Sequence, residues 1–297
     1  MKDCYPSISL VRFCRLLGFT RQAYYQHFWA EQESGIEHGL ILKETQRIRQ
    51  NHRRLGGRKL YEKLEGFMLE HQIKMGRDAY FNLLSVHSLL VRKRRRKVST
   101  TWSRHWLRKY PNLIREWKPI MANQLMVSDI TYLKTKKGFV YISLITDAYS
   151  KKIMGYHAAS TLETTGPLEA LKMAIRSLPK PATGLIHHSD RGVQYCSFEY
   201  VNQLNDYGIK ISMTESGDPL ENAIAERMNG ILKEEYLDLT KYKNLRQVQT
   251  GLQRAVWLYN TDRPHLSLGM LTPEVVHENN LTAEKMWKSY YQKKVSL

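Results

Sequence analysis

Cysteine is scarce. Cys4, Cys14 and Cys196 are the three in 297 residues, an odd number with no CxxC pair. That excludes a disulfide-stapled secreted scaffold and fits a reducing compartment, with the thiols acting as small apolar residues. Long hydrophobic runs are missing too. The most apolar stretch, Gly138–Ile145, is far shorter than the ~18–20 residues that cross a bilayer, so no membrane partner is expected. Asp3 and Pro6 interrupt the N-terminus before any apolar segment, which argues against a signal peptide. Acidic residues are outnumbered, 28 Asp and Glu against 46 Lys and Arg, for a net charge of +18. What is present is enough apolar residue, 42%, to build cores, and enough length for roughly two domains.

The positive charge is uneven. Residues 1–120 hold 25 Lys or Arg and 10 Asp or Glu, whereas residues 121–297 hold 21 and 18. Such asymmetry points to a polyanion-binding part joined to a part with another task. Nucleic acid is the expected polyanion, because released counterions drive binding to phosphates. The block Arg92, Lys93, Arg94, Arg95, Arg96 and Lys97 repels itself strongly without such a partner.

The pattern predicts an all-α first part. Residues 7–28 read as two short helices broken at Gly18, with Thr20 as a cap, the outline of a helix-turn-helix. Further helices are expected over 36–52, 58–71 and 76–90. The organisation expected is 1–30 helix-turn-helix-like, 31–97 helical and DNA-binding with a basic exit, and 98–120 a linker. That linker mixes Trp102, Trp106, Tyr110 and Trp117 with Arg and Lys, and could lie on DNA or fold back. A core over 121–280 and a tail over 281–297 follow. Strands are expected at 125–130, 138–146, 152–158, 184–188 and 209–213, and helices at 163–178, 197–207, 220–236 and 245–259. The fold class is therefore α/β, a mixed five-stranded sheet with flanking helices.

Three acids stand out. Asp129 is expected to close the first strand, Asp190 follows the fourth, and Glu226 lies on the helix after a Gly-Asp-Pro loop. Three carboxylates at one sheet edge cannot all stay ionised, when partly buried, without cations. Oxygen-only ligands favour a hard ion such as Mg²⁺, and two such ions suit in-line phosphoryl displacement.

Asp190 and Glu226 have 35 residues between them, and Asp129 and Asp190 have 60. With SDITY, HSDRGVQY, ENAIAERMNGILKEEY and YNTDRPHLSLGMLTP in order, the chain resembles the second-frame (ORF B) transposases of the two-frame insertion-sequence family, whose core is similar to retroviral integrases. The resemblance runs from near residue 36 to Pro273. It implies an RNase H-like core with Asp129, Asp190 and Glu226 as catalytic ligands of two Mg²⁺ ions, with Mn²⁺ able to replace them. It implies cleavage and strand transfer on double-stranded DNA, at terminal inverted repeats and in target DNA. It also implies a homo-oligomer, an upstream-frame protein or fusion as partner, and a bacterial, cytoplasmic, nucleoid-associated location. Glu221-Asn222 replaces the common Asp-Asn, and Arg227 stands where Ser is common. The zinc module of retroviral integrases is absent.

DNA contacts are expected from Lys233, Asn222, His188, Arg227, Arg263, His265 and the block Arg92–Lys97. For Arg263 and His265 a structural clamp is the favoured reading. Gly192 reads as a turn residue that lets backbone approach DNA. Glu221, Glu234 and Glu235 read as surface charges. Two other functions stay open: a structure-selective nuclease that never joins, and a non-catalytic regulator derived from a transposase.

Overall fold

The structure, a computed structural model, describes residues 9–91, 105–178, 184–215, 222–238, 240–282, 284 and 286, and within them not the side chains at 13 and 27–34. The block Arg92–Lys97, Trp102, Glu221 and the Gly217-Asp218-Pro219 loop lie outside these residues. The chain divides into two compact units. One draws on the chain up to Gln50 and on Leu60–Leu90, the other on Asn51–Lys59 and the chain from Val91 onward.

The first unit is helical. It contains α1 (Leu10–Leu16), most of α2 (Arg21–Asn51), most of α3 (Gly57–Glu70) and α4 (Arg77–Val86). Gly18 takes φ +74° after α1, and Thr20 Oγ1 accepts the Ala23 N–H at 3.1 Å, the cap expected there. The second helix then departs from expectation. Instead of ending near 28 and restarting near 36, α2 runs unbroken for 31 residues. Residues 29–35 contain no proline, and a helical glycine costs only about 1 kcal/mol relative to Ala, too little at Gly35 to break the helix. The boundary placed at 30/31 therefore falls inside α2. Ile41, Ile48, Leu60, Leu64, Met68, Tyr80 and Leu84 make this unit's core, where Tyr80 Oη and Thr45 Oγ1 pair at 3.0 Å.

The second unit is built on five strands, β1 (Leu125–Thr135), β2 (Gly138–Asp147), β3 (Ile153–Ala159), β4 (Ile186–Ser189) and β5 (Lys210–Met213). Their order is β3-β2-β1-β4-β5; β1, β2 and β3 are antiparallel, and β4 and β5 run parallel to β1. The mixed five-stranded sheet is as expected. Helices α5 (Thr165–Arg176) and α6 (Phe198–Asp206) cover one face, packing on Met126 and Ile145. On the other face α7 (Ala223–Leu232) and α8 (Leu245–Thr261) pack on Leu133, Ile142 and Leu144. Residues of opposite parity thus reach opposite layers, the period-2 alternation of a sheet buried on both sides. Where β3 meets α5 the backbones nearly touch: a Cβ on Gly155 would lie 2.0 Å from the Ala170 carbonyl oxygen.

Two elements differ from the sequence pattern in ways that matter below. β1 does not end at Ile130 but continues to Thr135, pairing with β2 along its length, so Asp129 is mid-strand rather than terminal. Of the helix expected over 220–236, residues 220 and 221 lie outside the described residues; among the rest it is α-helical from Ala223 to Leu232 and then widens into a π-helical turn, Lys233–Leu237. Helix α9 (Pro273–Asn279) follows α8 and a short 3₁₀ turn, Leu266–Leu268. No helix among the described residues is long and apolar enough to cross a membrane.

Candidate active site

The register of β1 and β4 brings two of the three acids together. Val127 is aligned with His188 in the last parallel pair; Asp129 lies two residues further along β1, and Asp190 two residues further on, just past the end of β4. Neighbouring strands are about 4.8 Å apart, so the two carboxylates emerge side by side at the end of β4. Asp129 is on the face covered by α7. Its Oδ2 accepts from Asn229 Nδ2 at 2.8 Å, and its Oδ1 accepts from the Ile130 N–H at 2.9 Å. Asp190 is held by a turn in which its Oδ1 accepts from the Gly192 N–H at 3.0 Å. Gly192 is buried and gives room to the carboxylate itself. A Cβ there would lie 3.0 Å from Asp190 Oδ1, so its reading as an approach point for DNA backbone is replaced by this one.

The third acid is on α7. Ala225 packs with Leu125, Val127 and Ile186, which seats the helix over the β1–β4 pair and places the next residue, Glu226, at that edge. Glu226 is exposed, and its charge reaches Asp129. Among the described residues no three His, Cys, Asp or Glu side chains are gathered tightly enough to hold a metal ion.

The electrostatics mark this edge. Burial first, and then the charge of Asp190, push the Asp129 carboxyl up to about 7, against the lowering effect of its two hydrogen bonds. Burial also raises Asp190, opposed by the Gly192 hydrogen bond and the charge of His105. Two adjacent carboxylates that resist ionisation, with no basic side chain in hydrogen-bond contact among the described residues, are a donor set suited to a hard divalent cation. Mg²⁺ fits the residues present.

Three residues that sequence reading did not single out take part. Asn229 orients Asp129; its i+3 spacing from Glu226 places both on one helix face and was a usable signal. His105 Nε2 donates to the Arg191 carbonyl at 2.8 Å, pinning the turn after Asp190 from 86 residues away. Tyr195 lies buried behind the acids, and its hydroxyl makes no hydrogen bond among the described residues. No sequence signal pointed to these two.

Several expected DNA contacts are corrected by burial. His188 is fully buried, with Nδ1 2.8 Å from Ser212 Oγ. Asn222 is the N-cap residue of α7, buried, and its Nδ2 donates to the Ser128 carbonyl at 3.0 Å. Arg263 is 1% exposed and forms a two-pronged pair with Glu235, Nε–Oε2 2.7 Å and Nη2–Oε1 2.6 Å. Glu235 is therefore no surface charge, although Glu234 is exposed. His265 points Nδ1 at Ser267 Oγ, 2.8 Å away, and burial with Arg263 nearby pushes its pKa down to about 2, so it stays neutral. With Asn260 bonded to both backbone groups of Ile153, the YNTDRPH stretch clamps α8 to β3. Lys59, half-buried beside Arg263 and Glu235, is pushed down to about 7 chiefly by desolvation.

Arg227 remains exposed. Lys233, seven residues after Glu226, begins the π turn, and its Nζ sits 4.6 Å over the Tyr132 ring. The linker question is answered for residues 105–117, which fold back on the core. Leu113 N–H donates to Ser212 Oγ at 2.9 Å, Met213 N–H to the Pro111 carbonyl at 3.3 Å, and Leu107 and Tyr110 pack on the α5–α6 layer.

Residues 120–219 and 207–273 match two descriptions of the integrase core domain family. The chain is 33% identical over 269 residues to the uncharacterized 31 kDa protein of insertion element IS600 from Shigella sonnei, covering 89% of this chain and 97% of that one. It is 34% identical over 234 residues to the transposase for insertion sequence element IS629 from Shigella sonnei, covering 78% and 77%. It is 27% identical over 291 residues to the InsF transposase of IS3A from Escherichia coli, covering 92% and 95%. Among solved structures it is similar to the HTLV-2 integrase catalytic core domain in complex with magnesium, with TM-score 0.43, 22% identity, and coverage of 54% of this chain and 99% of that one.

Proposed function

We propose, from the premise that the chain belongs to the insertion-sequence transposases with an RNase H-like integrase core, that it cleaves and joins DNA at the ends of its own element in a Mg²⁺-dependent reaction. The observation that carries this is that Asp129 and Asp190 each lie two residues past the aligned Val127–His188 pair of β1 and β4, with Glu226 on α7, whose Ala225 packs on those strands. Asp129 and Asp190, with Glu226, would hold two Mg²⁺ ions, replaceable by Mn²⁺, which supply charge for the attacking and leaving oxygens of an in-line displacement.

The chain's own residues do the positioning. Asn229 holds the Asp129 carboxylate, the Gly192 N–H and His105 hold the Asp190 turn, and Ala225 seats α7 over the strands. In the first step a water oxygen bonds to phosphorus, the P–O3′ bond breaks, and the water's proton neutralises the released 3′ oxygen. In the second that 3′-OH bonds to a phosphorus of target DNA, displacing a second 3′ oxygen, which takes the proton. One centre serves both, because only the nucleophile changes.

Exposed Arg227, together with Lys233 and the Arg92–Lys97 block, supplies phosphate contacts. Two element ends must be joined in one event, so the working form is a homo-oligomer on terminal inverted repeats, with an upstream-frame protein or fusion as a further partner. The site acts on DNA in the bacterial cytoplasm, at the nucleoid.

The test is strand transfer on labelled element-end DNA in Mg²⁺, comparing wild type with Glu226→Gln. Joined products that vanish in the variant, with DNA binding kept, support the proposal. Hydrolysis without joining would favour a nuclease, and binding with no product, even with the upstream-frame partner added, a regulator.

A further inference from the structure

The segment that pins the Asp190 turn also presents an aromatic surface beside it. His105 bonds to the Arg191 carbonyl, which fixes the backbone of Trp106 about 3.8 Å further along the chain. Leu107 and Tyr110 turn inward to the core. Trp106 turns outward and is 85% exposed. Its ring centroid lies 6.4 Å from that of Phe198, the first residue of α6, which is itself 68% exposed.

The rim of this pair is cationic. Arg108 and Lys109 follow it in the chain, both exposed, with the Arg108 guanidinium 5.1 Å over the Tyr110 ring. The charges of Lys109 and Arg191 both reach Cys196, two residues before Phe198. Glu199 adds one exposed acid. A protein-binding patch is depleted of charge at its centre and gains little from such a rim. Aromatic faces bordered by Arg and Lys are the chemistry that binds single-stranded nucleic acid, bases on rings and phosphates on cations.

We propose that Trp106 and Phe198 form a stacking site for an unpaired nucleobase of the DNA substrate, next to the phosphodiester held at Asp129 and Asp190. This rests on the reading of that acid pair as the reaction centre. A paired duplex already uses both faces of each base in its own stack, so the ligand is a base unpaired at a DNA end or turned out of the helix. His105 acts here as a positioning residue, because it sets where Trp106 stands relative to Asp190.

The experiment measures binding by full-length Glu226→Gln protein, in which chemistry is off, to DNA carrying 2-aminopurine in a short unpaired flap or inside a fully paired duplex. The flap is expected to bind about tenfold tighter, with its fluorescence quenched. Adding Trp106→Ala or, separately, Phe198→Ala should remove that preference while affinity for the paired duplex is unchanged. Trp106→Phe should retain part of it. Equal loss for both DNAs, or preference surviving in both alanine variants, would overturn the proposal. So would a change of sedimentation coefficient in Trp106→Ala, which would make the face a contact between copies. A parallel joining assay with Glu226 intact separates the two readings. Joining without flap preference sinks the stacking site alone; flap preference without joining sinks the enzyme reading and with it the place of the site beside a reaction centre, leaving only unpaired-base binding by Trp106 and Phe198.

Discussion

Replacing Asp129 by Asn should abolish joining and make the metal-free protein more stable. The folded carboxyl titrates at about 7 against an ordinary 3.8, chiefly because it is buried and faces Asp190. Each tenfold change in proton affinity is worth about 1.4 kcal/mol, so ionised Asp129 weighs about 4 kcal/mol against the folded state at pH 8. Asn removes the charge but keeps one acceptor oxygen where the carboxylate used two, for Asn229 and Ile130. Losing one such bond costs about 1 kcal/mol, which leaves a gain of about 3 kcal/mol. The sign with pH follows from a raised folded-state pKa. The stability that protonated Asp129 contributes is complete below the unfolded value near 3.8 and is lost as pH rises through about 7. The Asn variant's advantage is therefore full at pH 8, shrinks below 7 and vanishes near pH 4.5. Thermal unfolding in EDTA should show the variant melting about 6–12 °C higher at pH 8. Added Mg²⁺ should stabilise the wild type and leave the variant unmoved. An Asn variant no more stable than wild type at pH 8, or equally favoured at pH 5 and 8, would refute the reasoning.

Other sites yield sharper yes-or-no outcomes. Arg263→Ala strands Glu235 in a buried site and should destabilise by about 3–5 kcal/mol in urea titration, whereas Arg263→Met with Glu235→Leu should recover most of it; a near-neutral single variant would show the clamp to be ornamental. Gly155→Ala drives a methyl into the Ala170 carbonyl, forcing β3 from α5 at about 3 kcal/mol or more, and a variant melting with the wild type would contradict that contact. His105→Ala should slow joining about 10–100-fold with affinity for fully paired end DNA unchanged. His105→Gln, whose amide can still donate to the Arg191 carbonyl, should restore most of the rate; equal loss in both would disprove the positioning role.

Much of the core was readable because short-range rules dominate there. The five strands follow from apolar runs bounded by turn residues, and α5, α6 and α8 from amphipathic stripes. The helix before the core misled in one respect. Separate helices were expected to end near 28 and restart near 36, but with no proline between them the hydrogen-bonded helix carries through, Gly35 included. β1 was expected over 125–130, closed by Asp129, yet pairing with β2 extends it to Thr135. A polar residue in that strand signals a site rather than an end.

The sequence alone determined the chemistry: which side chains are carboxylates, their order along the chain, and the basic excess of residues 1–120. Those are properties of residue type and spacing, and no folding can alter them. The tertiary structure decided which groups are accessible and which are adjacent. It set Asp129 beside Asp190 through a strand register that neither segment encodes locally. It buried Arg263 against Glu235, 28 residues apart, and brought His105 to the Asp190 turn across 86 residues from Arg191. An arginine reads the same in a DNA contact and in a buried pair. What separates the two is desolvation, and desolvation depends on everything packed around the side chain at once.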